Sequence, residues 1–302
     1  MEVITAFKDI VDHLLIIKGI EWVRIEGASK SCTLKTMDKK AGFVIDITMN
    51  EPIEKMNGTF GIHDIAHLNR ILRAPGFDIP TASVQFIGSE SGKEKWGGGF
   101  LHFDNGAGQT YDKSIVGKYQ ADGQMNVPGL RQPFQFDTAF FPDEKGIELL
   151  KYWHKEMQEF DVKNVAFLNK NGNVICRYGL SCGRQNYEFP FKRSAGATSQ
   201  VIWEFPTEPI LAILNLYPTS KSVSISISDI GLMKIDVDSG LANYCYLIVP
   251  HQQVGAMQEC KEYRPRSYAE IIAHLIEGRK RVQENALKAK NAANDNTPPA
   301  KR

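Results

Sequence analysis

The chain has 302 residues, 42% of them hydrophobic and 24% charged, with 36 Lys and Arg against 35 Asp and Glu for a net charge of +1. That length suits two domains of ordinary size, the composition excludes a disordered or fibrous chain, and no run approaches the ~18 apolar residues of a membrane helix. Residues 261–302 carry ten Lys/Arg against five Asp/Glu, or +5, which leaves 1 − 5 = −4 on residues 1–260 and excludes a strongly basic, DNA-gripping body.

Phe7, Ile10, Val11, Leu14 and Ile17 recur at helical spacing and predict an amphipathic helix over residues 3–17. Acids stand in this segment where a signal peptide needs a basic region, so a cytoplasmic location is expected. Strand patterns follow at GIEWVRIEG, SCTLKTM, GFVIDITM and GTFGI. A second helix spans 64–74, with Asp64 as its cap, an apolar stripe of Ile65, Leu68, Ile71 and Leu72, and Gly76 after its end. Strands resume at TASVQFIG and GGGFLHFD. Residues 111–133 are rich in Gly, Gln and Pro with weak periodicity, and read as a connector. The strand DTAFF opens the second half. Its first helix, over 143–159, has Pro142 near the start and Leu149, Leu150, Trp153 and Met157 as its core face. A hairpin turns at Asn171-Gly172, and NYEFPF and QVIWEF are further strands. Thr207 caps a helix over 208–217, and three alternating strands fill Ser220 to Pro250. In the tail, Ser267 to Glu270 form a capping box. Ile271, Ile272, Leu275, Ile276, Val282 and Leu287 extend a helix over about 268–290, and the polar end reads as disordered.

Each half therefore runs helix, strands, helix, strands. Asp64 and Thr207 are 143 residues apart, and that offset lays Leu68 on Leu211 and Ile71 on Leu214. The expected organisation is a duplicated α+β fold. Domain 1 covers 1–110, a connector 111–133, domain 2 134–250 and a basic tail 251–302, and each domain has two helices packed on antiparallel sheets.

Catalytic chemistry is poorly represented. His63-Asp64-Ile65-Ala66-His67 resembles the HExxH zinc motif, which would make a metallohydrolase. But Asp is shorter than the usual Glu base, His63 lies at or before the helix cap, and no third ligand is suggested nearby. Cys32, Cys176, Cys182, Cys245 and Cys260 are odd in number and widely spaced, as structural thiols are. The glycines of WGGGFLHFDNGAGQT lack the Lys-Ser/Thr of a phosphate-binding loop, and no GxSxG elbow occurs. No enzyme, cofactor or metal is expected; a binding protein is.

The stretches ILAILNLYPTSKSVSISIS, GLANYCYLIVP and FGIHDIAHLNRIL resemble the sliding clamps of DNA replication, in the two-domain trimeric form of eukaryotes, archaea and T4-type phages that includes proliferating cell nuclear antigen. The likeness covers about 1–250; the tail has no counterpart. It implies a duplicated DNA-clamp fold and a processivity factor: a homotrimeric ring that encircles duplex DNA without reading sequence and tethers a polymerase. The implied partners are DNA, a DNA polymerase, a clamp loader and further copies of the chain, with no membrane, in a bacterial or phage-infected cytoplasm. It further implies a DNA-facing set of Lys8, His67, Arg70, Arg73, Lys145, Lys151 and Lys155, with no cation from the helix at 208–217. A partner-peptide pocket would be walled by Pro218, Leu247, Val249 and Pro250, with Tyr119, Val127 and Leu130 from the connector. The rivals are a β-rich virion or scaffold protein and a metallohydrolase using His63 and His67.

Overall fold

The computed structural model describes residues 3–40, 42–53, 56–87, 97–125, 127, 136, 138–170, 173–181, 187–193, 202–217, 222–228 and 230–254. The tail helix expected at 268–290 lies outside the described residues.

Two similar runs of elements follow one another. The first is α1 (Val3–Leu15), β1 (Trp22–Ala28), β2 (Ser31–Met37), β3 (Phe43–Met49), β4 (Gly58–His63), α2 (Ile65–Leu72), β5 (Ser83–Ile87), β6 (Gly97–Asp104) and β7 (Thr110–Val116). A short helix α3 (Lys118–Gln124) and β8 (Thr138–Phe140) lead to the second. It comprises α4 (Glu144–Gln158), β9 (Asn164–Lys170), β10 (Asn173–Tyr178), β11 (Tyr187–Arg193), β12 (Ile202–Pro206), α5 (Thr207–Leu216), β13 (Val223–Ile227), β14 (Met233–Asp238), β15 (Ala242–Ile248) and β16 (Gln252–Val254).

Three details differ from the sequence reading. Residues 111–116 are strand rather than connector, because β7 pairs along β6 from Asp104↔Thr110 to Gly97↔Val116. Only Ile115 of β7 is fully buried, so no apolar alternation marks it. Domain 2 runs past 250, where β16 pairs with β12 through Trp203↔Gln253. Thr207 is buried inside the first turn of α5 and makes no cap; the cap position is Pro206.

All strand pairs are antiparallel. One sheet has the order β5-β6-β7-β4-β1-β2-β3-β15-β14-β13-β8, and a second has the order β11-β10-β9-β12-β16. The large sheet passes from one domain to the other because β3 pairs with β15 from Phe43↔Ile248 to Met49↔Ala242. The reason lies in β3 itself. Ile45 and Ile47 face the main core while Val44 is buried on the opposite face, so the strand is apolar on both sides, as a central strand must be.

The helices cover the core face. Phe7, Ile10 and Leu14 of α1, Leu68 and Leu72 of α2, Leu150 of α4, and Ile210 and Leu214 of α5 join Ile25, Leu34, Ile235, Tyr244 and Ile248 in one apolar core. Side chains in α1 and just after it reach the second domain: His13 Nε2 shares a hydrogen bond with the Tyr217 hydroxyl at 2.5 Å, and Lys18 Nζ, past the helix end, donates to Glu208 at 2.6 Å. With α1 against α2 and α4 against α5, the helices line up in the order α2, α1, α5, α4.

Candidate nucleic-acid interface and partner site

The solvent faces of these helices carry the sequence-predicted cations, and the structure divides them into two groups. Asp64 caps α2, accepting from the His67 N–H at 2.9 Å. That fixes the helix and leaves Arg70 exposed, with no ion pair to a described residue. On α4, Asp143 accepts from the Gly146 N–H at 2.8 Å, and Trp153 stacks on Tyr187 of β11 with centroids 3.3 Å apart. Ile147, Leu150 and Met157 point inward. Lys145, Lys151 and Lys155 are left exposed on the other side, again unpaired among the described residues.

The remaining cations are engaged. Lys8 Nζ lies 2.5 Å from Asp78, and Arg73 pairs with Asp12. His67 turns toward β7, with its ring edge-on to Tyr111 at 5.8 Å and its Nε2 3.4 Å from the Tyr111 hydroxyl. The α5 helix contributes no cation, and its Glu208 neutralises Lys18. The acids that flank Lys8 in sequence act elsewhere: Asp12 on Arg73, and Asp9 as acceptor of the Tyr244 hydroxyl at 2.6 Å and the Ser239 hydroxyl at 3.0 Å.

Those bonds belong to a buried polar seam between the domains. His13 stacks on Tyr244 with centroids 3.6 Å apart and an interplanar angle of 12°. Its Nδ1 is buried without a hydrogen-bond partner among the described residues. Burial holds its pKa down to about 3. No pattern of residues in the sequence marked this seam.

The opposite face of the sheet holds a second apolar cluster, apart from the main core. Val44, Val127, Leu232, Leu247 and Val249 are its buried members, and Trp22, Met37, Phe136 and Cys245 pack against it. Of the predicted partner pocket, Leu247, Val249 and Val127 are brought together here, and Pro250 is buried just beyond. Pro218 and Leu130 lie outside the described residues. Tyr119 is on α3, and its side chain is not among those described. Val44, Leu232 and Phe136 were missed. The signal for Val44 was the unbroken apolar run Phe43-Val44-Ile45, which a one-faced strand would not have.

The His63/His67 motif is drawn into other interactions. Asp64 caps the helix and His67 meets Tyr111, while His63 ends β4 exposed to solvent. No group of three His, Cys, Asp or Glu side chains is arranged for a metal among the described residues. No helix among them is long and apolar enough to cross a membrane.

A duplicated domain with two helices on antiparallel sheets, joined strand to strand, is the architecture of the two-domain sliding clamps. Among solved structures the chain is similar to PCNA of A. fulgidus, determined with the C-terminal region of FEN-1 bound: TM-score 0.58 and 12% identity over 86% of this chain and 98% of that one. It is likewise similar to PCNA of Thermococcus kodakaraensis, with a TM-score of 0.58 and 8% identity over 83% of this chain and 98% of that one. PCNA of Entamoeba histolytica matches with a TM-score of 0.55 and 12% identity over 82% of this chain and 95% of that one. The fold is that of a PCNA-type clamp. No protein-family model and no curated protein matches the sequence.

Proposed function

We propose that the chain is the subunit of a ring-shaped sliding clamp, a homotrimer that encircles duplex DNA and tethers a DNA polymerase. It acts as a scaffold rather than an enzyme, and a clamp loader opens it onto DNA in the cytoplasm. The observation that carries this reading is an unmatched pair of sheet edges. Within the chain, β3 of domain 1 pairs with β15 of domain 2. By the internal repeat, β11 corresponds to β3 and β7 to β15. Yet among the described residues β11 ends its sheet with only β10 beside it, and β7 meets β4 only at Gly61↔Val116. The edge that β15 gives to β3 is therefore open in β7, and β11 has the matching free edge. Joining β11 of one copy to β7 of the next repeats the geometry of the β3–β15 seam. Head-to-tail contacts of this kind form a closed ring when the rotation permits. Three copies would supply six domains.

In such a ring three copies of Arg70, Lys145, Lys151 and Lys155 gather on one channel, and a subunit field too weak to hold DNA becomes additive. Contacts to phosphates alone suit sequence-blind sliding. The outer apolar cluster is the proposed partner site; the bound FEN-1 segment of the A. fulgidus structure supports the idea that such a fold holds partner peptides. Light scattering tests the assembly and should report three times 33.9 kDa. Retention on closed circular DNA, lost when the circle is cut, tests encirclement. A stable monomer at micromolar concentration in low salt overturns the reading. A trimer with no salt-sensitive retention on DNA points instead to a structural assembly protein.

A further inference from the structure

One flank of α4, beside the open edge of β11, lacks a cover. Trp153 stacks on Tyr187 of β11, so the helix lies along that edge. Tyr152 sets its ring edge-on to Trp153 at 5.1 Å and is 56% exposed, and Phe160, just past the helix, is 53% exposed. The matching positions of α1 are covered. The offset of 143 residues between the two halves lays Phe7 on Leu150 and Leu14 on Met157, all four buried. It lays Asp9 on Tyr152, His13 on Glu156 and the buried Ile17 on Phe160. Asp9 and His13 reach across the β3–β15 join to Tyr244. These helix positions therefore meet whatever strand is joined to the edge beneath them.

On β7, Tyr111 follows the turn from β6 and stands opposite Phe103, as Tyr244 follows the turn from β14 and stands opposite Val237. Lys113 is two residues on, opposite the buried Leu101, and shares the helix-side face of the sheet with Tyr111. Its counterpart Tyr246 lies close to Asp9: burial raises its pKa first, then the charges of Tyr217 and Asp9. The position of Asp9 is taken on α4 by Tyr152, which Glu148 and Glu156 flank four residues to either side on one helix face. None of Lys113, Glu148 and Glu156 makes an ion pair with a described residue.

We infer that a second copy covers this flank of α4 and that opposite charges hold the junction, with Lys113 of one copy entering between Glu148 and Glu156 of the next, over the Tyr152 ring. The ring geometry rests on the clamp reading; the charge on each side is a property of the chain alone. Seam and junction thus share a strand geometry but differ in chemistry. Within the chain, the rings of His13, Tyr217 and Tyr244 close the seam. Between copies, the join depends on charges that dissolved salt screens, so the trimer loosens as salt rises even with no DNA present.

Sedimentation of the full chain without DNA, over a series of protomer and salt concentrations, measures the assembly constant. Lys113→Glu should weaken assembly at least about tenfold at low salt, because it sets like charges against each other. Glu148→Lys with Glu156→Lys should do the same. The triple variant carries the mirror image of the native charges and should recover most of the loss, which a structural defect would not. All three side chains are at least partly exposed in the free chain, so circular dichroism should stay as in wild type; if Lys113→Glu does not fold, the α4 pair decides the matter. Reversals that leave assembly unchanged, or a triple variant no better than its parents, overturn the inference and leave the trimer standing. A wild-type chain that stays monomeric at every salt concentration overturns the clamp reading, and the junction with it.

Discussion

Acidification should loosen this protein through one histidine. His13 sits between the Tyr244 ring and the Tyr217 hydroxyl, 3% exposed. A protonated imidazole donates from both nitrogens, but the buried Nδ1 has no acceptor among the described residues. The folded state therefore keeps His13 neutral, with its pKa lowered to about 3 from an ordinary 6.5. The sign follows from the proton balance. Between those two values the unfolded chain binds a proton that the folded chain does not, so stability is complete above about 6.5 and falls as the pH drops toward about 3. From pH 7 to pH 5 the loss from this group integrates to about 2 kcal/mol, since each pH unit well inside the window is worth ~1.36 kcal/mol. Urea unfolding at fixed protomer concentration, at pH 7 and pH 5, measures it. His13→Gln removes the titration, so its stability should fall about 2 kcal/mol less than wild type over the same interval. Burial also lowers the pKa of His154, but that contribution is common to both proteins and cancels. Equal losses in wild type and variant would refute the buried, neutral His13.

Lys151→Ala with Lys155→Ala should shorten DNA retention on every sequence and flatten its salt dependence, by ~0.9 in log–log slope for each phosphate the variant no longer neutralises; retention equal to wild type across a salt series removes α4 from the DNA-facing surface. Leu247→Ala with Val249→Ala should abolish polymerase stimulation. Because Leu247 is fully buried, that pair also costs stability, about 2–5 kcal/mol for a buried Leu→Ala change, so trimer mass is checked alongside. Stimulation that survives in an intact trimer moves the partner site elsewhere. A Cβ added at Gly61 would lie 2.1 Å from the Met125 sulfur, so Gly61→Ala should unseat Met125 at about 1–3 kcal/mol. Hydrogen exchange would show this as weaker protection in α3 with α5 unchanged.

Helices α1, α2, α4 and α5 were legible in the sequence because each carries an apolar stripe that a single core face requires, whereas α3 lies inside the expected connector and was not read. Leu68 and Ile71, matched to Leu211 and Leu214 by the internal offset, are all buried. Strand β7 was not legible, since Asp112, Lys113 and Ser114 interrupt any alternation. Asp112 takes a local partner instead, the His102 ring at 2.6 Å. Which of the seven expected cations are engaged by other side chains was also not legible, for a physical reason. The partners of Lys8 and Arg73, Asp78 and Asp12, are 70 and 61 residues away in sequence. Only the packing of α1 against α2 brings those charges together. The seam at His13 escaped notice likewise, because its partners Tyr217 and Tyr244 come from the other domain.

The two ion pairs on α1 and α2 offer the sharpest test of which surface faces DNA. Lys8–Asp78 and Arg73–Asp12 are solvent-exposed, and exposed pairs contribute little to stability. Their chief consequence is electrostatic: each holds a cation on α1 or α2 in a neutral pair. Asp12→Asn with Asp78→Asn removes two negative charges per chain and releases Lys8 and Arg73 beside the exposed Arg70. In a trimer that shifts the channel by 2 × 3 = 6 charges. If α1 and α2 line the channel, the double variant should hold circular DNA longer at every salt concentration. Its log–log salt slope should steepen by up to ~0.9 for each additional phosphate neutralised, and its unfolding midpoint should stay near that of wild type. Lys8→Ala with Arg73→Ala in the native background leaves Asp78 and Asp12 unpaired, an equal shift of opposite sign, and should shorten retention instead. Unchanged retention in a folded Asp12→Asn/Asp78→Asn trimer would place α1 and α2 away from the phosphates and leave α4 as the face that meets DNA.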